Sequence, residues 1–278
     1  WINQLILHLQ ADIAQGQYRK EGFRNLKSML DYESGVINAY SVEVSVGEGS
    51  IKASGKGDLR NPDRMMFSIE PNVSNVPLES LSRLADLEET LLHGPVTIDG
   101  VISGHAGNEK ELLKSLTGNI DVRVGPGRIR SKTALGDSLF NLLSFLHIDG
   151  LLTGEARDDY AEGGMPYHSL NVRTRLRDGS IVIAQLKLAT PALNLHGEGS
   201  LDLVKQDMEM ATSLNVLKSI DAVLGHMPLV GMAIEDVTGV KVDLQGPMRK
   251  PTMTVRPPGD VVEGMKDVME DIEAPFKK

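Results

Sequence analysis

The chain has 278 residues, a length that suits one large or two ordinary domains. Its composition, 41% hydrophobic and 24% charged, is typical of a globular protein. Its formal net charge of −9 disfavours nucleic acid and broad docking onto anionic lipid headgroups, because both need an excess of lysine and arginine. The absence of cysteine excludes disulfides, thiolate metal sites and cysteine nucleophiles.

The N-terminal 60 residues predict β-strands. The chain has no initial methionine and opens on the alternating stretch WINQLILHLQADI, so we expect a piece of a longer protein. A second alternating stretch, VSVGEGSIKASGKGDL, covers residues 44–59. Since strand side chains alternate between two faces, such stretches have one apolar and one polar face.

Alternation continues through most of the remaining sequence, in MMFSIEP, GPVTIDGVISG, GNIDVRVGPGRI, residues 169–189, ALNLHGEGSLDL, VKVDLQGP and PTMTVRP. This pattern is typical of an antiparallel sheet with one covered face. The apolar members are candidates to line a ligand-binding face; the alternative is ordinary core beneath helices. These candidates are Ile51, Ala53, Val96, Ile98, Ile102, Ile120, Val122, Val124, Leu193 and Leu195.

Two helices are predicted before residue 120. Leu78, Leu81 and Leu84 have helical spacing in a segment that we expect to end at Gly94. The second helix is expected to begin after Asn108, with Glu111 three residues later, and to end at Gly118.

Three further helices are predicted in the second half, within 133–148, 217–237 and about 260–273. The first is apolar nearly all round and is the candidate cover for the sheet, through Leu139, Phe140, Leu143, Phe145 and Leu146. The last is amphipathic with an acidic polar face, which favours capping the sheet or meeting a membrane protein over lying on anionic lipid.

One three-stranded pattern occurs twice, at about 23–59 and 167–203. The matched residues are Phe23 with Tyr167, Gly35 with Gly179, and Gly55 and Gly57 with Gly197 and Gly199. The glycines on the apolar face predict either close packing of a neighbour or a sharp bend of the sheet. With no linker-like segment, we interpret 1–278 as a single β-rich unit.

Sequence motifs for chemistry are lacking. No histidine has zinc-site spacing, and the glycines at 125–127 and 197–199 lack the remaining residues of a phosphate-binding loop. Asp158 and Asp159 lie in a stretch that reads as a solvated loop, with nothing to specify a catalytic pair. We therefore predict a protein that is not an enzyme and has no cofactor or metal.

The order of these segments resembles the C-terminal region of AsmA-like proteins of Gram-negative bacteria, over nearly the whole chain. The pieces that carry the resemblance are GPVTIDGVISGHAGNEKELLKSLTGNIDVRVGPGRI and residues 167–203. The resemblance implies a mainly β fold with several helices: a long bent antiparallel sheet forming an apolar groove or partial barrel, with short amphipathic helices covering or capping it.

The same resemblance implies a periplasmic protein, anchored in the inner membrane through a segment absent from this chain. Its expected function is to bind phospholipid or another acyl lipid in the groove and transfer it between the inner and outer membranes. The alternative function is an outer-membrane protein assembly factor or structural interaction module.

Overall fold

The computed structural model describes residues 5–86, 92–106, 108–129, 164–191, 193–216, 238–248 and 251–256. Sixteen strands and two helices lie in this part of the chain. The strands are β1 (Ile6–Tyr18), β2 (Glu21–Glu33), β3 (Val36–Val46), β4 (Gly49–Asp58), β5 (Met65–Pro77), β6 (Leu92–His93), β7 (Pro95–Ala106), β8 (Thr117–Val124), β9 (Gly127–Ile129), β10 (Met165–Tyr167), β11 (Ser169–Arg177), β12 (Ser180–Ala189), β13 (Leu193–Asp202), β14 (Asp207–Val216), β15 (Thr238–Pro247) and β16 (Thr252–Arg256). The helices are α1 (Leu78–Leu84) and α2 (Glu109–Ser115).

Thirteen strands form one antiparallel sheet in the order β1-β2-β3-β4-β5-β7-β8-β11-β12-β13-β14-β15-β16. The short strands β10, β9 and β6 pair in a separate three-stranded sheet. The predicted mainly β, antiparallel architecture is confirmed. The large sheet does not close into a barrel, because β1 and β16 lie at opposite ends of the strand order.

One face of the large sheet is apolar, and we call it the apolar face. Its core is a row of paired residues in which Val76 and Val96 are fully buried and Val124 is nearly so. The leucines of α1 pack on this core, as do residues of the small sheet, including Ile129 and Tyr167. The core therefore covers one end of the apolar face.

The polar face carries charge pairs that cross from strand to strand. Asp99 on β7 pairs with Arg123 on β8 and accepts a hydrogen bond from the Asn72 side chain at 2.5 Å. Lys52 and Glu43 form a similar pair between β4 and β3, with nitrogen and oxygen 2.9 Å apart. These cross-strand charge pairs, which we call the charged ladder, are typical of a solvated surface and distinguish the polar face from the apolar face.

The helix boundaries differ from the sequence predictions at two points. Leu92 and His93 form strand β6 and pair with β9, so the first helical segment does not extend to Gly94. The second helix has the predicted cap, since the Asn108 side chain accepts a hydrogen bond from the Glu111 amide at 2.9 Å. Gly118, however, lies in β8 opposite Ile102.

The two sequence repeats share turn geometry in detail. Gly35 and Gly179 have φ of 82° and 81°, and each follows a residue with positive φ, Ser34 or Asp178. Each glycine carbonyl accepts a hydrogen bond from a leucine amide beyond the third strand, at 2.7 Å from Leu59 and 2.9 Å from Leu203. The aspartate before that leucine accepts from the amide two residues on in both copies.

The strand register corrects the glycine correspondence between the repeats. Gly55 pairs with Ala39 and Gly199 pairs with Ile183, and a bulge follows at the same place in each copy. Gly199 therefore occupies the position of Gly55, and Gly57 corresponds to Leu201. The repeated Gly-x-Gly letters suggested a correspondence two residues away from the one that the hydrogen-bonded turns require.

Helix α1 is anchored by charged contacts at both ends. Arg83 Nε lies 2.5 Å from Oε2 of the buried Glu21 on β2, and Glu79 contacts the His93 ring on β6. Burial raises the pKa of Glu21, but hydrogen bonds from Arg83 and Ser80, with the charge of Arg83, outweigh it, so the pKa is lowered. Ionised Glu21 thus stabilises the docking of α1.

Several helical predictions lie outside the described residues. These are the apolar cover helix with Leu139, Phe140, Leu143, Phe145 and Leu146, the segment 217–237, and the C-terminal helix at about 260–273.

Gly179→Ala should lower the free energy of unfolding by about 1 kcal/mol, because an L-residue is strained at positive φ. Gly22→Ala is the control: nothing lies within 4 Å of the added Cβ, so we expect a change within about 0.5 kcal/mol. Urea unfolding of both variants checks this, and an equal loss in the two would contradict the turn assignment.

Arg83→Met should destabilise the protein at pH 7 by about 1.5–3 kcal/mol, since Glu21 loses its charged hydrogen bond. Because the folded-state pKa of Glu21 is below the ordinary 4.5, its stabilisation is present above that pH and lost as pH falls through the folded value. The difference from the parent should therefore shrink on acidification. Arg177→Met, which removes an exposed pair with Asp178, should change little at any pH.

Candidate functional site

All ten predicted lining residues lie on the apolar face. The register aligns Ile51, Val73, Ile98 and Val122 in one row across β4, β5, β7 and β8. Strand pairing links this row through β11 and β12 to the apolar positions of β13, where Leu193 and Leu195 lie. One surface thus carries the whole set, contributed by four strands.

Burial divides this set in two. Val96, Val124, Leu193 and Leu195 are buried and belong to the core. The other six residues are half-buried: Ile51, Ala53, Ile98, Ile102, Ile120 and Val122. Ile51, Ile98 and Val122 still pack against the core. The core alternative raised by the sequence therefore describes the four buried positions.

The most exposed part of the apolar face lies at β1–β5. Pairing aligns one residue from each of these strands in a row that we call the open row: Leu9, Leu30, Ala39, Gly55 and Ile69. Leu9 is 53% exposed and Ile69 is 43% exposed. Leu7 and Ile13 on β1 are exposed on the same face. A continuous group of solvent-exposed apolar side chains of this kind is a candidate ligand-binding surface.

The prediction of lining residues omitted the open row. Leu7, Leu9 and Ile13 belong to the alternating stretch at the start of the chain, so the signal was present in the sequence. Ile69 alternates with Phe67 in the same way. The alternation did not show which part of the apolar face the helices leave exposed.

Several glycines lie where neighbouring strands approach each other closely. A Cβ at Gly118 would lie 2.0 Å from the Val101 carbonyl oxygen, and one at Gly100 would lie 2.2 Å from that of Asn119. Comparable contacts with an adjacent strand occur at Gly55 and Gly199. In a regular sheet a Cβ stands clear of the next strand, so only glycine fits at these positions.

Close approach of strands, not of a covering helix, therefore accounts for Gly55, Gly100, Gly118 and Gly199. Gly57 differs, since its added Cβ would have nothing nearer than 3.9 Å. Gly197 is intermediate, because its added Cβ would lie 3.0 Å from the Thr212 methyl group.

The titratable groups nearest the core are engaged in structural contacts. The Tyr167 hydroxyl donates a hydrogen bond to the His93 carbonyl oxygen at 2.7 Å. Burial, and to a lesser degree the charge of Glu79, raises the pKa of Tyr167 to about 12. Tyr167 therefore stays protonated at neutral pH, and its hydrogen bond links β10 to β6.

Among the described residues, no cluster of three or more His, Asp or Glu side chains could hold a metal ion. Neither described helix has the length and hydropathy needed to cross a bilayer. Comparison with protein families, curated proteins and solved structures found no match to this chain.

Proposed function

We propose that this protein is a non-enzymatic lipid-binding and transfer protein that holds acyl chains against its apolar face. The observation that carries the proposal is the open row, in which apolar positions of five consecutive strands form one line with exposed residues at both ends. A line across five strands spaced about 4.8 Å apart is roughly as long as an acyl chain.

Energetics explain why a carrier for acyl chains needs such a surface. Each methylene moved from water into an apolar environment gains about 0.8 kcal/mol, so two chains of about 15 methylenes cost on the order of 20 kcal/mol to expose. A continuous apolar face lets a chain slide with only small changes in free energy. No covalent step and no cofactor are needed.

The proposal includes a groove. Glycines at close strand contacts on the apolar face, Gly55, Gly100, Gly118 and Gly199, favour curling of the sheet around a ligand. Helix α1 and the small sheet would cap one end of the strands. Helix α2 would cap the other end, where the Ser115 hydroxyl accepts a hydrogen bond from the His105 amide at 2.9 Å.

The cellular location of the protein is part of the same proposal. Together with the AsmA-like pattern of the sequence, an acyl-chain surface favours a periplasmic carrier, anchored to the inner membrane by a segment outside this chain, that moves phospholipid between the two membranes. The charged ladder on the polar face supports one wet and one lipid-facing side.

Ile69→Glu should weaken binding of a fluorescent fatty acid by about tenfold or more, since a buried isoleucine contributes about 1.5–3 kcal/mol. Met66→Glu is the matched control. It adds the same charge three residues away on the same strand, where Met66 is 58% exposed on the polar face opposite Asp58. Met66→Glu should bind like the parent protein.

Mass spectrometry of organic extracts gives an independent readout. Protein purified from a Gram-negative host should carry phospholipid, and Ile69→Glu should carry less. Absence of lipid from the parent protein, together with no uptake of the fatty acid, would overturn the proposal. Equal losses in both variants would show that the added charge acts regardless of face.

A further inference from the structure

Strand β1 leaves a long sheet edge unpaired within the described residues. It has 13 residues and pairs only with β2. Its apolar-face positions, Leu7, Leu9, Ala11 and Ile13, carry no charge, and the strand contains no proline. Natural proteins protect sheet edges with short strands, prolines, bulges or charges on the inward side. The opposite edge, β16, has only five residues.

The register shows which backbone groups of β1 are available at this edge. The alternation cannot be continued from the Tyr18–Glu21 turn, because the ladder is interrupted at Asn25, whose φ is 53°. Strand β3 runs in the same direction as β1, and its apolar-face residue Val46 forms the hydrogen-bonded pair that closes the two-residue turn to β4. Residues that share a face in strands of one direction direct their N–H and C=O groups to the same side. The odd-numbered residues 7–13 of β1, on the apolar face, therefore direct these groups toward β2, and the even-numbered residues 6–12 direct theirs away from it.

A regular row of outward N–H and C=O groups is complementary to another extended strand. The two faces of β1 fix the chemistry of that strand. On one face it meets Leu7, Leu9 and Ile13, so its own residues there must be apolar. On the other face it meets the polar side, where Asp12 has Lys27 of β2 on its inner flank and favours a second lysine or arginine on its outer flank.

We propose that the β1 edge binds an extended amphipathic strand of a partner polypeptide, with alternating apolar and polar residues and a cation opposite Asp12. The added strand continues the large sheet and lengthens its apolar face. This inference goes beyond lipid binding and does not rest on it, because the recognition is by backbone hydrogen bonds at an edge.

The test uses a labelled 13-residue peptide that alternates valine with threonine and has one central lysine, titrated against the full chain by fluorescence anisotropy. Gln10→Pro removes an outward N–H and should weaken peptide binding by about tenfold or more, with little change in melting temperature. Gln10→Thr keeps the N–H and should bind like the parent protein.

Two further controls keep the result interpretable. Ala11→Pro removes an inward N–H, so it should lower the melting temperature where Gln10→Pro does not. A peptide of equal composition, with valines and threonines rearranged in pairs, should bind weakly because neither of its faces is apolar.

Equal binding of both peptides, or undiminished binding to Gln10→Pro, would overturn the proposal. So would self-association of the parent protein that Gln10→Pro abolishes, since a second copy would then occupy the edge. Loss of fatty-acid binding in Ile69→Glu, with peptide binding retained there, would separate this edge from the lipid surface.

Discussion

The structure depends on a constraint of register: thirteen strands must pair so that the alternating apolar positions of all of them fall on the same face. Side chains in a strand alternate with a period of two, so a slip of one residue would expose the apolar set. The chain meets this constraint across bulges. In β3 the apolar positions are odd up to Ala39 and even from Val42, and the bulge between them absorbs the extra residue.

Covering the apolar face is the second requirement, and the described elements meet it unevenly. Helix α1 and the small sheet bury the row around Val76 and Val96, fixed by the contacts of Arg83 with Glu21 and of Glu79 with His93. The β1–β5 end has no comparable cover among the described residues. The exposed open row and the unpaired β1 edge both follow from this asymmetry.

Alternation alone was sufficient to predict the antiparallel sheet, and the cap at Asn108 followed from local chemistry. The sequence did not reveal that Leu92 and His93 pair with β9, because that pairing depends on residues distant in the chain. Gly118 was mistaken for a helix end, since glycine serves helix termini and close strand approach equally well. Residues of the apolar face could be identified, but which of them lie beneath α1 depends on tertiary packing. The apolar residues of β3 change from odd to even positions, and this change in the sequence would have located the bulge.

The meander topology has a consequence for how this protein can vary in size. When β6, β9 and β10 of the small sheet are left out, each described strand of the large sheet pairs only with the strands before and after it in sequence. Stability then approximates a sum of nearest-neighbour terms, as in a one-dimensional array. Hairpins can accordingly be inserted or deleted with little change to the rest of the sheet. Unfolding can proceed strand by strand from one edge. The length of the sheet is then set by the number of hairpins that the chain contains.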